Sequence, residues 1–267
     1  MTRTAISPRL AIRIFFSTAA NVGVVSSRDH VGRSEASDAH AVGWPAGWSI
    51  RHVAETGSTN DDLLAAAEEG APDRAVLYTD HQVAGRGRLD RAWTAPPGTN
   101  LLVSILFRVV PDDPSELTRR VGLAAVEAAR VSAGVAATLK WPNDVLVGDD
   151  KLAGILAQRG PGGEVVVGLG LNVGWAPDGG ARLGDDIAPA DVLRSVLTAY
   201  DELPADIDRR YRSALSTLGR PVRVELTAGE LVGRAVDVEP DGRLVVIDEC
   251  AITHRISVGD VVHLRPA

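Results

Sequence analysis

The sequence predicts an α/β (α+β) fold: a mixed, largely antiparallel sheet with packed helices, followed by a small all-β C-terminal barrel. Three observations predict it. Strand-like and helix-like runs are interspersed up to about residue 217 of the 267-residue chain. Several strand-like runs are joined by short turns rather than by helices, which makes them antiparallel neighbours. After Gly219 only short Val-rich runs and turns remain.

Residues 49–55 alternate weakly, as a strand does. Ser58-Thr59-Asn60-Asp61-Asp62 then opens an apolar-periodic run that stops at Gly70. Ser58…Asp61 and Thr59…Asp62 both have the spacing of a helix N-terminus, where a hydroxyl accepts from a backbone N–H three residues on. Residues 75–79 form a second strand. Residues 85–98, rich in Gly, Arg and Pro, form a loop, and residues 101–110 a buried strand by their apolar and β-branched content. From 115 to about 132, Leu117, Val121, Ala124, Ala125 and Ala128 share one helical side, with Gly134 as the stop. Strands at 137–141 and 145–147 flank a Pro-Asn-Asp turn. Gly148-Asp149-Asp150 turns into a strand at 152–158, and Pro161-Gly162-Gly163 makes a hairpin to 165–173. Residues 189–217 are helical in two pieces broken at Pro204. Runs at 222–226, 231–238, 244–247 and 261–264 make a module of about five strands, which needs closure or docking to be stable.

The predicted organisation is therefore a catalytic-sized unit at 48–218 and a small unit at 219–267. Residues 1–47 stand apart. The first 28 hold four arginines and no acid, a composition resembling a transit peptide, and this extension is expected to be disordered and outside the fold. With 45% hydrophobic and 24% charged residues, the remainder can build a real core. The net charge of −7 disfavours broad nucleic-acid binding. A single cysteine, Cys250, excludes an internal disulfide framework and suits a reducing, cytoplasmic setting. No apolar run is long enough to predict a membrane-spanning helix.

No Walker loop, G-x-G-x-x-G, H-E-x-x-H or G-x-S-x-G occurs, so the standard signatures of P-loop enzymes, Rossmann dehydrogenases, metalloproteases and α/β-hydrolases are missing. A Gly-Arg loop and a lysine segment remain. In Gly85-Arg86-Gly87-Arg88, glycines let the backbone approach an anion while guanidinium forks grip carboxylate or phosphate oxygens. Read alone, the same loop also suits a mobile basic segment. Trp93 can offer a ring face to a base, or fill a core. Only two of the 28 basic residues are lysines, Lys140 and Lys151. Lys140, in Lys140-Trp141-Pro142-Asn143-Asp144, ends a predicted strand, where a compact ammonium can sit between two anions.

Together these segments resemble the biotin–protein ligase (biotin–[acetyl-CoA-carboxylase] ligase) family, over about residues 50–265. The resemblance rests on Ser58-Thr59-Asn60, HQVAGRGR at 81–88 with Trp93, KWPNDVLV at 140–147, KLAGIL at 151–156 and GLGLNV at 168–173. It implies a mixed-sheet catalytic domain with an SH3-like C-terminal barrel, and an ATP-dependent ligase acting in two steps. Biotin and ATP give biotinyl-5′-AMP, and a lysine of a biotin carboxyl carrier domain then takes the biotinyl group. By matching position, Ser58, Thr59, Asn60 and Gln82 would bind the biotin head group. Arg86, Gly87 and Arg88 would close over carboxylate and phosphate. Lys140 would bridge the two anions, with Lys151 structural. Trp93, Asn143 and Asn172 would meet the nucleotide, with Mg2+ accompanying ATP and Asp144 its candidate ligand.

The chain departs from the family at Leu89-Asp90, where another basic residue and a glycine are common. Residues 1–47 lack the helical periodicity of the DNA-binding domain that some bacterial members carry, so a form without that domain is expected. Two other functions compete. A lipoate–protein ligase shares the catalytic fold but has no ureido group to satisfy. An RNA-binding module could use the Gly-Arg loop, against the acidic charge.

Overall fold

A computed structural model describes residues 43–226, 229–257 and 259–264; nearly all of the expected N-terminal extension lies outside them. Twelve strands and four helices follow one another in these residues: β1 (Ser49–Thr56), α1 (Thr59–Glu68), β2 (Ala75–Gln82), β3 (Leu101–Phe107), α2 (Ser115–Ala133), β4 (Thr138–Lys140), β5 (Asp144–Val147), β6 (Asp150–Arg159), β7 (Val165–Leu171), α3 (Pro189–Asp201), α4 (Asp208–Ala214), β8 (Pro221–Leu226), β9 (Gly229–Val238), β10 (Leu244–Asp248), β11 (Thr253–Ile256) and β12 (Asp260–His263).

The first seven strands form one sheet in the order β1-β2-β3-β7-β6-β5-β4. Only β1 and β2 run parallel, joined through α1; every other pairing is antiparallel. This is the mixed sheet that the hairpin-linked strands predict. The helix expected at 189–217 divides as Pro204 requires, into α3 and α4, and then ends in non-helical chain after Ala214.

The sheet is buried on both faces at its centre, which is why β3 is fully buried and apolar at every position but Ser104. One face packs on α1 through Leu63, Ala66, Leu77, Leu106 and Val166. The other carries the larger core, with Val121, Ala124, Ala125 and Ala128 of α2 and Val192, Leu193, Val196 and Leu197 of α3. Alternation along the strands sorts side chains between these faces. In β7, Val165, Val167, Leu169 and Leu171 all join the α2–α3 core, so Val166, Gly168 and Gly170 face α1.

The remaining five strands form an antiparallel sheet in the order β11-β10-β9-β8-β12. Its inner face, with Val222, Val224, Ala235, Val238, Leu244, Val246, Ile256 and Val261, continues the α2–α3 core without a break. Docking on the larger sheet thus contributes to the stability of so small a module. Hydrogen bonds seal the seam: Trp141 N–H donates to Thr217 Oγ1 at 3.0 Å, and the Trp141 indole N–H donates to the Gly242 carbonyl at 2.8 Å.

Candidate active site

Beside α1, on its face of the sheet, lies a trough of about 360 Å³. Its floor exists because three positions carry no side chain. Gly154 of β6 pairs with Gly170 of β7, and Gly168 lies between Leu156 and Ser104 across the neighbouring ladders. A Cβ at Gly168 would stand 2.4 Å from Asn60 Oδ1, and one at Gly170 would stand 2.5 Å from the Trp93 ring. The alternating Gly-Leu-Gly-Leu of β7 therefore does two jobs: leucines fill the core behind while glycines hollow the front.

A neutral, polar end of the trough is built by the start of α1. Ser58 caps the helix, its Oγ accepting from Asp61 N–H at 3.5 Å. The cap aims Thr59 and Asn60 at the sheet. Thr59 donates from its backbone N–H to Gln82 Oε1 at 2.8 Å, and its hydroxyl lies 2.6 Å from that of Ser104. Ser104 donates to Asn60 Oδ1 at 2.5 Å, while Asn60 Nδ2 donates to Gln158 Oε1 at 2.6 Å and the Leu156 carbonyl at 3.1 Å. These buried groups hold one another fixed, which stiffens the pocket wall. The expected residues Ser58, Thr59, Asn60 and Gln82 are thus brought together, with Ser104 and Gln158 as partners that no sequence motif singled out.

The other end is charged. Arg86, Arg88, Arg91 and Lys151 line the trough with only two carboxylates, Asp144 and Asp260, an excess of positive charge suited to an anionic ligand. Lys151 Nζ is 2.7 Å from Asp144 and 5.6 Å from the centre of the Trp93 ring. The Trp93 indole N–H is buried without a hydrogen-bond partner among the described residues, so packing on the glycine floor and the nearby Lys151 ammonium hold the ring. Arg86 pairs with Asp61, and Arg88 donates to Asn143 Oδ1 at 3.2 Å. Gly87 donates its N–H to the Arg91 carbonyl at 2.7 Å, closing the loop on itself. Leu89 adopts left-handed φ (+56°) in the short helical turn that follows, a conformation costing a non-glycine residue about 1–2 kcal/mol.

The two lysines stand otherwise than expected. Lys140 does not line the trough; it lines a separate cleft with Asp149, Arg220, Arg234 and His263, at the seam with the C-terminal sheet. It ends β4, the edge strand farthest from β1, so β5 and β6 lie between it and β7. Lys151, expected to be structural, lines the trough. Strict alternation would give Lys151 the face of the core residues Ala153 and Ile155. A register shift in the β5–β6 ladder, between Val145 and Leu146, inserts a residue on β6 and reverses that phase. Lys151 Nζ consequently lies 3.1 Å from where a Cβ of Gly154 would be.

Asn143 and Asn172 border the trough, but their side chains are engaged. Asn143 Nδ2 donates to the Ile155 carbonyl at 2.8 Å while its Oδ1 holds Arg88. Asn172 is buried; its Nδ2 donates to the carbonyls of Lys151 and Ala181, and its Oδ1 accepts from Asn100. Asn172 thus pins the backbone of Lys151. As to a metal, the described residues hold no group of three His, Cys, Asp or Glu side chains arranged for one. Asp144 is a lone carboxylate beside Lys151, which fits Mg2+ held chiefly by phosphate oxygens and water.

Residues 55–174 match the model of the Biotin/lipoate A/B protein ligase family, and residues 217–264 that of the Biotin protein ligase C terminal domain. The chain is 41% identical over 249 residues to the biotin–[acetyl-CoA-carboxylase] ligase of Mycobacterium tuberculosis, covering 84% of this chain and 92% of that one. It is 28% identical over 245 residues to the bifunctional ligase/repressor BirA of Escherichia coli, covering 83% and 75% respectively. Among solved structures it is similar to the biotin protein ligase of Aquifex aeolicus in complex with biotin and ATP. That likeness has a TM-score of 0.70 and 25% identity, covering 81% of this chain and 99% of that one.

Proposed function

Since the chain belongs to the biotin–protein ligases of the biotin/lipoate A/B protein ligase family, we propose that its trough is where biotin is joined to ATP and then passed to a lysine. The chain is an ATP-dependent ligase that forms an amide bond. One observation carries the assignment of the trough: a rigid neutral wall at one end and a cationic border at the other, on one glycine floor. Biotin has the matching polarity, a neutral ureido ring at one end and a carboxylate at the other.

Ser58 and Gln82 face the ureido group with hydroxyl and amide donors, while Thr59 and Asn60 act through the buried network that orients them. A lipoyl ring would leave those donors without acceptors, and stranding buried polar groups is costly. The carboxylate then lies toward Arg86, Gly87, Arg88 and Lys151. In the first step a biotin carboxylate oxygen attacks the α-phosphorus, the bond to the β-phosphate oxygen breaks, and pyrophosphate leaves. Lys151, rather than Lys140, offsets the charge of carboxylate and α-phosphate as they meet; its support is the position of Nζ beside Gly154 and Asp144. Trp93 stacks on the adenine, Asn143 steadies Arg88, and Asn172 steadies Lys151. Asp144, the trough carboxylate beside Lys151, would help hold Mg2+, which would supply neutralisation of phosphate charge.

In the second step the neutral amine of an acceptor lysine attacks the acyl carbon, the carbon–oxygen bond to phosphate breaks, and AMP leaves. The acceptor is a biotin carboxyl carrier domain of a carboxylase. The working division is a catalytic unit at 48–218 and a C-terminal unit at 219–267, in a cytoplasmic enzyme. No helix of the described residues is long and apolar enough to cross a membrane.

Incubation with ATP, Mg2+ and a carrier domain, with biotin or lipoate, followed by intact-mass measurement of the carrier, tests this reading. A gain of one biotinyl mass is expected. Modification by lipoate alone would overturn it.

A further inference from the structure

The arginine loop is tied to the C-terminal sheet. Residues 85–93 close on themselves, with the Trp93 N–H donating to the Gly85 carbonyl at 2.9 Å and the Gly87 N–H donating to the Arg91 carbonyl. Besides the seat of Trp93 on Gly154 and Gly170, polar contacts with residues outside the loop therefore set its position as a unit. One is the pairing of Arg86 with Asp61, and another the bond from Arg88 to Asn143. The others cross to the start of β12: Arg88 donates to the Gly259 carbonyl at 3.2 Å, and Arg91 pairs with Asp260. Leu89, at the loop tip, is 70% exposed and adds no apolar anchor. The Asp260 side chain is only 24% exposed, whereas that of Arg91 is 63% exposed.

Building on the assignment of the trough to ATP and biotin, we infer that Asp260 is a positioning residue for the nucleotide step. Through Arg91, and with the Gly259 carbonyl on Arg88, the C-terminal sheet holds the loop over the trough. Less of the binding energy is then consumed in ordering the loop around the triphosphate. The C-terminal sheet is in this sense a part of the nucleotide site. This coupling is specific to residues separated by about 170 positions in the chain.

Asp260→Asn should raise the KM for ATP about threefold to tenfold while kcat falls less than twofold, because the tie sets where the loop rests and not the chemistry. In the ligand-free variant, trypsin should cut after Arg86, Arg88 or Arg91 faster than in the parent chain. Saturating biotin and ATP should close that gap. The swap Arg91→Asp/Asp260→Arg should recover most of the KM lost by either single change. Unchanged KM and unchanged cleavage in Asp260→Asn, or a swap no better than the worse single variant, would overturn the inference. If Asp260→Asn loses its cooperative thermal transition, Arg91→Gln breaks the same pair from its exposed side and is judged by the same two readouts. Biotin-dependent pyrophosphate release by the parent chain is scored separately. Its absence would sink the assignment of the trough, while the cleavage comparison would still decide the tie.

Discussion

Lys151 and Lys140 both come from segments that mark the family, yet only Lys151 borders the trough. Its ammonium sits between Asp144 and the Trp93 ring, where a compact charge can turn from a carboxylate to an arriving phosphate. Lys151→Gln should lower kcat/KM for biotinyl-adenylate formation about 10²–10³-fold, the usual effect of removing one preorganised charge contact. Lys140→Gln should change it by less than about threefold. Biotin-dependent pyrophosphate release checks both, and the reverse order of effects would return the chemistry to Lys140. Scarcity of lysine did mark residues 140–151 in the sequence. What it could not separate was the pair, because the separation depends on a one-residue bulge in β6. Trp93 was legible as an aromatic near the loop, whereas its seat on Gly154 and Gly170 was not.

Among the elements, β7 and the start of α1 build the site together. The hydroxyl-rich helix start and its acidic first turn are legible because capping chemistry is local. The glycines of β7 are legible as a pattern too, although nothing local says which face they hollow. Gly168→Ala would push a methyl group into Asn60 Oδ1 and so disturb the bonds to Ser104 and Gln158. A stability loss of about 1–3 kcal/mol is expected from this overpacking, with a rise of at least tenfold in the KM for biotin and a smaller one for ATP. Urea unfolding and the two KM values measure it. Equal changes in both KM values would show that Gly168 shapes the whole trough rather than the biotin end.

For the whole molecule, the seam between the two sheets carries its own signature. Burial, reinforced by Lys140 and Arg220 and opposed by Asp149, lowers the His263 pKa from 6.5 to about 4. Its ring nitrogens lie 3.1 Å from Thr217 Oγ1 and 3.4 Å from an Arg220 nitrogen. The folded seam therefore favours neutral imidazole, while the unfolded chain takes up a proton below about pH 6.5. The contribution is complete above that pH and erodes as pH falls toward 4. Because the ring is only half-buried, the loss is about 1–2 kcal/mol after allowance for solvent screening. His263→Gln should flatten the change in urea midpoint between pH 7.5 and pH 5. Parallel slopes for the two chains would remove His263 as the cause.

The sequence by itself determined the mixed α/β class, the hairpin-linked strands, the all-β module and the two-step ligase chemistry. The first three follow from local periodicity and turn residues, and the ligase chemistry from the resemblance to the biotin–protein ligases that the ordered motifs carry. The same resemblance also pointed to Ser58, Thr59, Asn60, Gln82, Arg86 and Arg88, and the structure brings these six residues to one trough. Only the tertiary structure decided that Lys151 borders the trough, that Asn172 and Asn143 serve as supports, and that Asp260 reaches the arginine loop. These depend on a bulge that reverses side-chain phase and on contacts between residues far apart in the chain. Alternation and spacing count positions along one strand, and neither records which distant strand will lie alongside.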